Sequence, residues 1–331
     1  MTSHLPDAAP QNWVDRHAPS AWRPWLKLAR LDRPTGVWLL MLPGWQGLAL
    51  AGAVRHALPD PRLLALFALG ATLMRAAGCA FNDIIDRDFD AKVTRTASRP
   101  IPSGQISVRG AWAFLVACAL CSLGVLLALN LLCFWLGVAS LALVAAYPFM
   151  KRITWWPQAW LGLTFNWGAL MGYGAALGGP SLAMVLALLV GARAAGTSLS
   201  AQVSPLPWPP VLLYVSGVFW TLGYDTIYAL QDMEDDALIG VKSSALRLGS
   251  AAPRAVTAFY ALSLAFALLA GWSGGLGLVF TAVAAAPGLH LAWQAIRVDV
   301  ADPKRALALF KANTLTGLLL FAAIVVGGAR L

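Results

Sequence analysis

Charge is what this chain has least of. Only 12% of its 331 residues are Asp, Glu, Lys or Arg, against 59% hydrophobic, and the mean hydropathy is +0.68. A water-soluble domain of that length cannot hide so much apolar surface, which points to an integral membrane protein. Cysteine is scarce as well. Of the four, Cys118 and Cys121 have C-x-x-C spacing, yet both lie inside an apolar run with no partner pair and no His nearby. Small packing residues are read there, not a redox or metal centre. The four histidines, His4, His17, His56 and His290, have no ligand spacing to one another, which argues against a zinc or haem protein. No apolar run starts before Val37, too late for a cleavable signal. Residues 1–24, Pro-rich and polar with Asp7 and Asp15, read as a disordered tail unlike a transit peptide. The net charge of +9 does not call for nucleic acid, because the cations fall in short polar loops.

Apolar runs of roughly 17–23 residues, ended by Gly, Pro or charge, read as membrane-crossing helices, since an unpaired backbone cannot cross lipid. They fall at about 36–54, 61–81, 111–129, 131–148, 157–177, 209–230, 255–273, 276–296 and 308–328. The fold class is therefore an all-α integral membrane protein with nine transmembrane helices. Before the first span, 22–31 places Trp22, Trp25, Leu26 and Ala29 on one face and Arg23, Lys27 and Arg30 on another, the pattern of a short helix in the headgroup plane. With the N-terminus in the cytoplasm, 19 of the 24 cations fall on the inside; Arg55, Arg62, Arg75, Arg193 and Arg330 lie outside or within spans. The segment 179–208 holds an apolar run of about eleven residues, short of the roughly 20 that span. It reads as an external insertion, which leaves 25–331 as one membrane domain.

Nine of the fifteen acidic residues sit in two places, 83–90 and 225–236. On a helix Asn82, Asp86 and Asp90 form one stripe, with Asp83 on its edge; Asp225, Asp232 and Asp236 share another face, flanked by Asp235. Like charges stacked at this spacing repel unless a cation fills the gap. Carboxylate and amide oxygens without His or Cys select a hard ion such as Mg²⁺, which binds through one or two carboxylates and completes its shell with phosphate oxygens. Two stripes at one membrane face suggest two Mg²⁺ ions on one diphosphate, with Arg33, Arg95, Arg99, Arg152 and Lys242 as further anion contacts. Tyr147, Trp167, Tyr173, Tyr224 and Tyr228 could stabilise an allylic cation through their π faces.

These residues resemble a family. N-D-I-I-D-R-D-F-D (82–90) fits the N-D-x-x-D-x-x-x-D motif of the UbiA superfamily of intramembrane prenyltransferases, and R-T-A-S-R-P-I-P-S-G (95–104) resembles its continuation. Y-D-T-I-Y-A-L-Q-D-M-E-D-D (224–236) with I-G-V-K-S-S-A (239–245) is similar to the second motif of the 4-hydroxybenzoate polyprenyltransferase branch. R-L-D-R-P-T-G (30–36) and Y-P-F-M-K-R (147–152) resemble further signatures.

The resemblance implies nine helices around a central cavity, Mg²⁺ as cofactor, and transfer of a polyprenyl group from polyprenyl diphosphate to 4-hydroxybenzoate in ubiquinone synthesis. It implies that Asn82, Asp86 and Asp90 hold one ion and Asp232 and Asp236 the other, with Asp83 and Asp235 in support. Arg33, Arg95, Arg99, Tyr147, Lys151, Arg152 and Lys242 would bind substrate, Arg152 near the acceptor carboxylate. Asp225, Asp232 and Arg152 are the catalytic candidates, Asp225 or a phosphate oxygen taking the ring proton. The expected setting is an inner membrane, bacterial first and mitochondrial as alternative, with active-site loops on the cytoplasmic or matrix side. Homogentisate, a naphthoate or haem as acceptor, and a secondary transporter, are the rival readings. Transport is disfavoured because these acids sit at span ends and not at the midplane.

Overall fold

The computed structural model describes residues 12–91, 96–182, 184–185 and 206–329. In chain order these form α1 (Trp13–His17), α2 (Arg23–Leu28), α3 (Thr35–Val54), α4 (Pro61–Asp90), α5 (Val108–Leu127), α6 (Leu131–Ile153) and α7 (Pro157–Ala176). They continue with α8 (Trp208–Ala229), a 3₁₀ turn (Leu230–Asp232), α9 (Met233–Ile239), α10 (Ser244–Leu248), α11 (Ala252–Ser273), α12 (Leu278–Arg297) and α13 (Pro303–Gly328). No strand occurs among the described residues; Asn130 and Ser181 share an isolated bridge. Among the described residues seven helices are long and apolar enough to cross a membrane: α3, α4, α5, α6, the run Ser244–Ser273 containing α11, α12 and α13. At 20 and 22 residues α7 and α8 have the length, but their composition is more polar, with Asn166 on one and Thr221 and Asp225 on the other. Those polar groups face inward: Asn166 Nδ2 donates to Thr221 Oγ1 at 2.8 Å, and that hydroxyl donates to Tyr224 Oη at 3.1 Å.

Local chemistry sets the helix ends. Asp60 and Asp302 cap α4 and α13 with Pro in the first turn, and Ser107 caps α5. Asn130 accepts from Cys133 N at 3.0 Å, and its Nδ2 donates to Gly174 O at 2.7 Å and Gly178 O at 2.8 Å. The start of α6 is thereby tied to the end of α7. The 30 residues of α4 extend about 45 Å, against a hydrocarbon layer of about 30 Å, so its acidic last third projects beyond the lipid tails. Within the stretch 1–24 expected to be disordered, Trp13–His17 is helical, with Val14 fully buried and the Trp13 indole donating to Leu31 O. Residues 1–11, and most of the expected insertion 179–208, lie outside the described residues.

Close helix packing builds the interior. α3 lies against α7 through glycines: a Cβ on Gly172 would stand 2.1 Å from Gly44 O, and one on Gly47 2.2 Å from Ala169 O. Without a hydrophobic drive between helices in lipid, such backbone approach is a main source of association. α5, by contrast, buries only Ala111, Cys118 and Ser122.

Between α2 and α3 the chain turns sharply, and Asp32 is buried there, with Arg33 Nε at an ion-pair distance of 3.4 Å and no well-formed hydrogen bond to either carboxylate oxygen. Burial raises its pKa above the usual carboxylate range, the nearby Arg33 and Arg30 offsetting only part of the effect.

Gly172→Val should destabilise the protein by about 1–3 kcal/mol through overpacking. Gly124→Val on α5, where a Cβ meets nothing within 4 Å, should not; thermal unfolding in detergent compares the two. Because the folded state holds the Asp32 proton more tightly than the unfolded chain, stability falls as pH rises from about 4 through the raised pKa. Asp32→Asn should therefore unfold at higher temperature than the parent near pH 8, the gap closing toward about pH 4.

Candidate active site

The acidic end of α4 meets the chain after α8. Asn82, Asp86 and Asp90, one turn apart, line a polar pocket of about 250 Å³ together with Asp225, Asp232 and Asp236. The two stripes read from the sequence thus face one another, although not on the helical terms expected. The spacing of seven from Asp225 to Asp232 assumes one continuous helix, whereas α8 ends at Ala229 and a 3₁₀ turn re-aims the chain before α9. Tighter winding in that turn changes the register, and the three carboxylates converge on the pocket from different elements.

Cations neutralise this acidic surface. Lys151 Nζ pairs closely with Asp86, Arg152 Nη2 lies 3.3 Å from the same carboxylate, and Arg99 Nη1 lies 2.7 Å from Asp90. Asp86 is 1% exposed, so without partners its charge would be costly to keep. Lys151 and Arg152 occupy the last turn of α6, where a helix favours positive charge. Lys242 joins the two halves: its backbone N donates to Lys151 O at 2.9 Å and its Nζ to Ile153 O at 3.1 Å. Ser244 N donates to Gln158 Oε1 at 3.0 Å, which holds α10 against the start of α7.

Beneath the pocket lies a cavity of about 740 Å³, lined mostly by aliphatic and aromatic side chains of α3 to α8 and α13. Pocket and cavity share Asn82, Arg99, Tyr147, Pro148, Asp225 and Tyr228. A charged pocket therefore adjoins an apolar cavity, the two sharing part of their walls. The cavity wall includes Leu120 and Leu141, 63% and 54% exposed, so the chamber reaches the lipid-facing surface between α5 and α6.

Other candidates are placed differently from expectation. Asp83 lines the apolar cavity and not the polar pocket: it is fully buried, and both its oxygens accept from Arg30 Nη2, at 2.6 and 2.8 Å. Burial by itself would lower the pKa of Arg30, but Asp83, with smaller contributions from Cys79 and Asp32, outweighs it and the guanidinium is held above its usual range. Arg152 stands at the outer rim, 40% exposed, over the Phe89 ring and outside the lining of both chambers. Arg33 lines the cavity next to Asp32, while Tyr173 packs in a separate core cluster with Ala49 and Leu213. Tyr147, Trp167, Tyr224 and Tyr228 all line the cavity. Arg95 lies outside the described residues, and Asp235 is on α9 with its side chain undescribed.

Sequence reasoning passed over Arg75. It lies inside the apolar cavity, its Cζ 5.3 Å from the Phe165 ring centroid and its Nε buried without a hydrogen-bond partner. A Cβ on Gly36 would come within 2.7 Å of the guanidinium, so that glycine leaves the space it occupies. The available signal was a lone cation inside an apolar run, which is expensive unless it has a role.

Among the described residues no three His, Cys, Asp or Glu side chains stand close enough to enclose a metal ion. The donor set instead offers carboxylate and amide oxygens from two sides under a basic rim. That suits an ion such as Mg²⁺ completing its shell from a bound phosphate, and does not suit an all-protein cage.

A model described as the UbiA prenyltransferase family matches residues 40–320. The mitochondrial 4-hydroxybenzoate polyprenyltransferase of Bos taurus is 44% identical over 314 residues, covering 95% of this chain and 78% of that protein. The apo structure of a UbiA homolog from Aeropyrum pernix K1 superposes with a TM-score of 0.68 at 26% identity, covering 87% of this chain and 97% of that one. A UbiA homolog from Archaeoglobus fulgidus bound to GPP and Mg²⁺ has the same fold, with a TM-score of 0.60 at 19% identity and coverage of 91% and 99%. With the family model spanning most of its length and a relative of this identity aligned nearly end to end, the chain belongs to the UbiA prenyltransferase family.

Proposed function

We propose that this chain is a membrane-embedded, Mg²⁺-dependent enzyme that transfers a polyprenyl group from its diphosphate to the ring of 4-hydroxybenzoate. The observation that carries the reading is the junction of a charged pocket with an apolar cavity, at Asn82, Arg99, Tyr147, Pro148, Asp225 and Tyr228. A prenyl diphosphate has those two halves in that order. The name borne by the Bos taurus relative supplies the acceptor, and the Archaeoglobus homolog, bound to GPP and Mg²⁺, supports a prenyl diphosphate with that metal. In this reading nine helices cross the membrane, α7 and α8 included, around the apolar chamber, and residues 25–331 form one domain. The membrane in this reading is an inner one, bacterial or mitochondrial, and the positive-inside count favours the cytoplasmic or matrix side for the pocket.

Asn82, Asp86 and Asp90 would hold one Mg²⁺ and Asp232 with Asp236 a second, Asp235 supporting them. When bound, the metal neutralises charge developing on the departing diphosphate. Lys151, Arg99 and Lys242, and with them Arg95, offer donors to the phosphate oxygens; the pairs that Lys151 and Arg99 make with Asp86 and Asp90 would exchange for phosphate. The C–O bond breaks with its electron pair leaving on the diphosphate. Tyr147, Tyr224 and Tyr228 present ring faces to the allylic cation that remains. The ring carbon ortho to the phenol oxygen attacks it, forming the C–C bond, and Asp225 or a phosphate oxygen accepts the ring proton. Arg75, enclosed in the cavity and near Asp225, suits the acceptor carboxylate better than Arg152 at the rim, because an ion pair is stronger out of water. The distal prenyl units would leave between α5 and α6 into lipid, past Leu120 and Leu141.

Purified protein given geranyl diphosphate, 4-hydroxybenzoate and Mg²⁺ should form prenylated acid, read by mass spectrometry. Asp86→Ala and Asp236→Ala should each cut turnover by about 10²-fold or more while the protein stays folded; near-parental turnover in both would refute the clamp. Arg75→Leu should raise KM for the acid about tenfold or more and leave KM for the diphosphate unchanged. An unchanged acceptor KM would remove Arg75 from the acceptor site.

A further inference from the structure

We propose that Asp83 is a positioning residue and not a metal ligand: with Arg30 it forms a latch through which the N-terminal segment holds Arg99 in place beside the metal-binding stripe. The inference rests on the reading of the pocket as a diphosphate site and adds a residue from outside it.

Asp83 adjoins Asn82 in the chain, yet its side chain leaves α4 toward α2 and not toward the polar pocket. Arg30 Nη2 lies 2.6 and 2.8 Å from its two oxygens, and Arg99 Nη1 adds a contact of 3.4 Å to Oδ1. That same Arg99 nitrogen lies 2.7 Å from Asp90 Oδ2. Arg99 is therefore strung between a carboxylate that faces the pocket and one that does not. Arg30 is pinned in turn, its Nη1 donating to Lys27 O at 3.1 Å.

Two features indicate that the chain is built for this contact. The first is conformational: Arg30 has φ of +59°, the left-handed region that a side chain of its size rarely adopts. A backbone held there implies surroundings that over-determine it, and such residues cluster at functional sites. The second is the shell. Leu28 packs with Ala80, Ile84, Ile101, Ile106 and Ala111, and Ala29 with Ala76, Ala77 and Cys118. The ion pair thus follows directly on residues packed against α4, α5 and the 101–106 segment, and its two side chains, 10% and 0% exposed, line the edge of the apolar cavity, where the pair is weakly screened.

Asp86 also meets two cations, but Lys151 and Arg152 are 29% and 40% exposed and free to turn away, whereas metal coordination by Asp83 would displace Arg30, 10% exposed, and leave its charge buried. Loss of charge at Asp83 should instead free Arg30 and release Arg99 from its second anchor. Diphosphate binding would suffer without loss of a metal.

The test uses the full chain in detergent or nanodiscs, with Mn²⁺ and inorganic pyrophosphate as probes. Asp83→Asn, Arg30→Lys and the double variant are compared by Mn²⁺ bound per chain at saturation, read by electron paramagnetic resonance, and by pyrophosphate Kd. KM is measured for geranyl diphosphate and for 4-hydroxybenzoate. Each single variant should weaken pyrophosphate about tenfold, and the double variant no further than the worse single, since the two residues act as a unit. Bound Mn²⁺ at saturation and the acceptor KM should stay unchanged. Loss of one Mn²⁺ in Asp83→Asn but not in Arg30→Lys would make Asp83 a ligand and overturn the proposal. So would multiplicative effects in the double variant, or unchanged pyrophosphate Kd in both singles. Arg30→Lys keeps the charge but has one nitrogen where Arg30 uses Nη2 on Asp83 and Nη1 on Lys27 O, so it carries the test if Asp83→Asn does not fold. Failure of the parent protein to bind Mn²⁺ with pyrophosphate would count against the pocket reading itself.

Discussion

Stacked carboxylates repel each other along a helix, and they do so more strongly where water is scarce. The end of α4 carries Asp83, Asp86 and Asp90, at 0%, 1% and 8% exposure, and it is stable only because Arg30, Arg99, Lys151 and Arg152 close on them. Those cations arrive from separate parts of the chain: the turn after α2, the segment before α5, and the last turn of α6. Electrostatic neutralisation of one helix end thus organises the whole polar face of the bundle. In the proposed function the same cations would pass from carboxylate to phosphate when the diphosphate binds.

The apolar part of the molecule serves that face. α3 and α7 approach through Gly44, Gly47 and Gly172, which draws the cavity walls together, while α5 stays peripheral and leaves an opening beside α6. Behind the walls the side-chain amides of Gln294 and Asn313 are paired with one another and with their neighbours. Asn313 accepts from the Trp220 indole at 2.8 Å and donates to Gln294 Oε1 at 2.8 Å, and Trp220 packs edge-on against Tyr224 at the cavity surface. Such bonds inside lipid have no water to replace them, so they fix ring positions that packing alone would leave adjustable.

Much of this architecture was legible in the chain, and the reason is physical. Lipid demands long apolar helices, so the run read as 36–54 appears as Thr35–Val54 and that at 209–230 as Trp208–Ala229. Carboxylate spacing on α4 was readable because that helix continues unbroken to Asp90. The second stripe was readable in composition but not in register, since nothing in Y-A-L-Q-D-M marks the 3₁₀ turn; no Gly or Pro announces it. Arg75 and the partner of Asp83 are long-range features. Which cation meets which carboxylate depends on helix packing, and a one-dimensional reading offers several equal choices. The helix at Trp13–His17 is of the same kind, held by the contact of Trp13 with Leu31 O, 18 residues away, and not by its own propensity.

The central claim is that two acidic segments, more than a hundred residues apart in the chain, grip one diphosphate. Anomalous scattering from crystals grown with Mn²⁺ and pyrophosphate tests it most directly. The account predicts two manganese peaks bridged by one pyrophosphate, one beside Asn82, Asp86 and Asp90, the other beside Asp232 and Asp236. Pyrophosphate held by a single segment, with the other carrying neither metal nor phosphate contact, would contradict it.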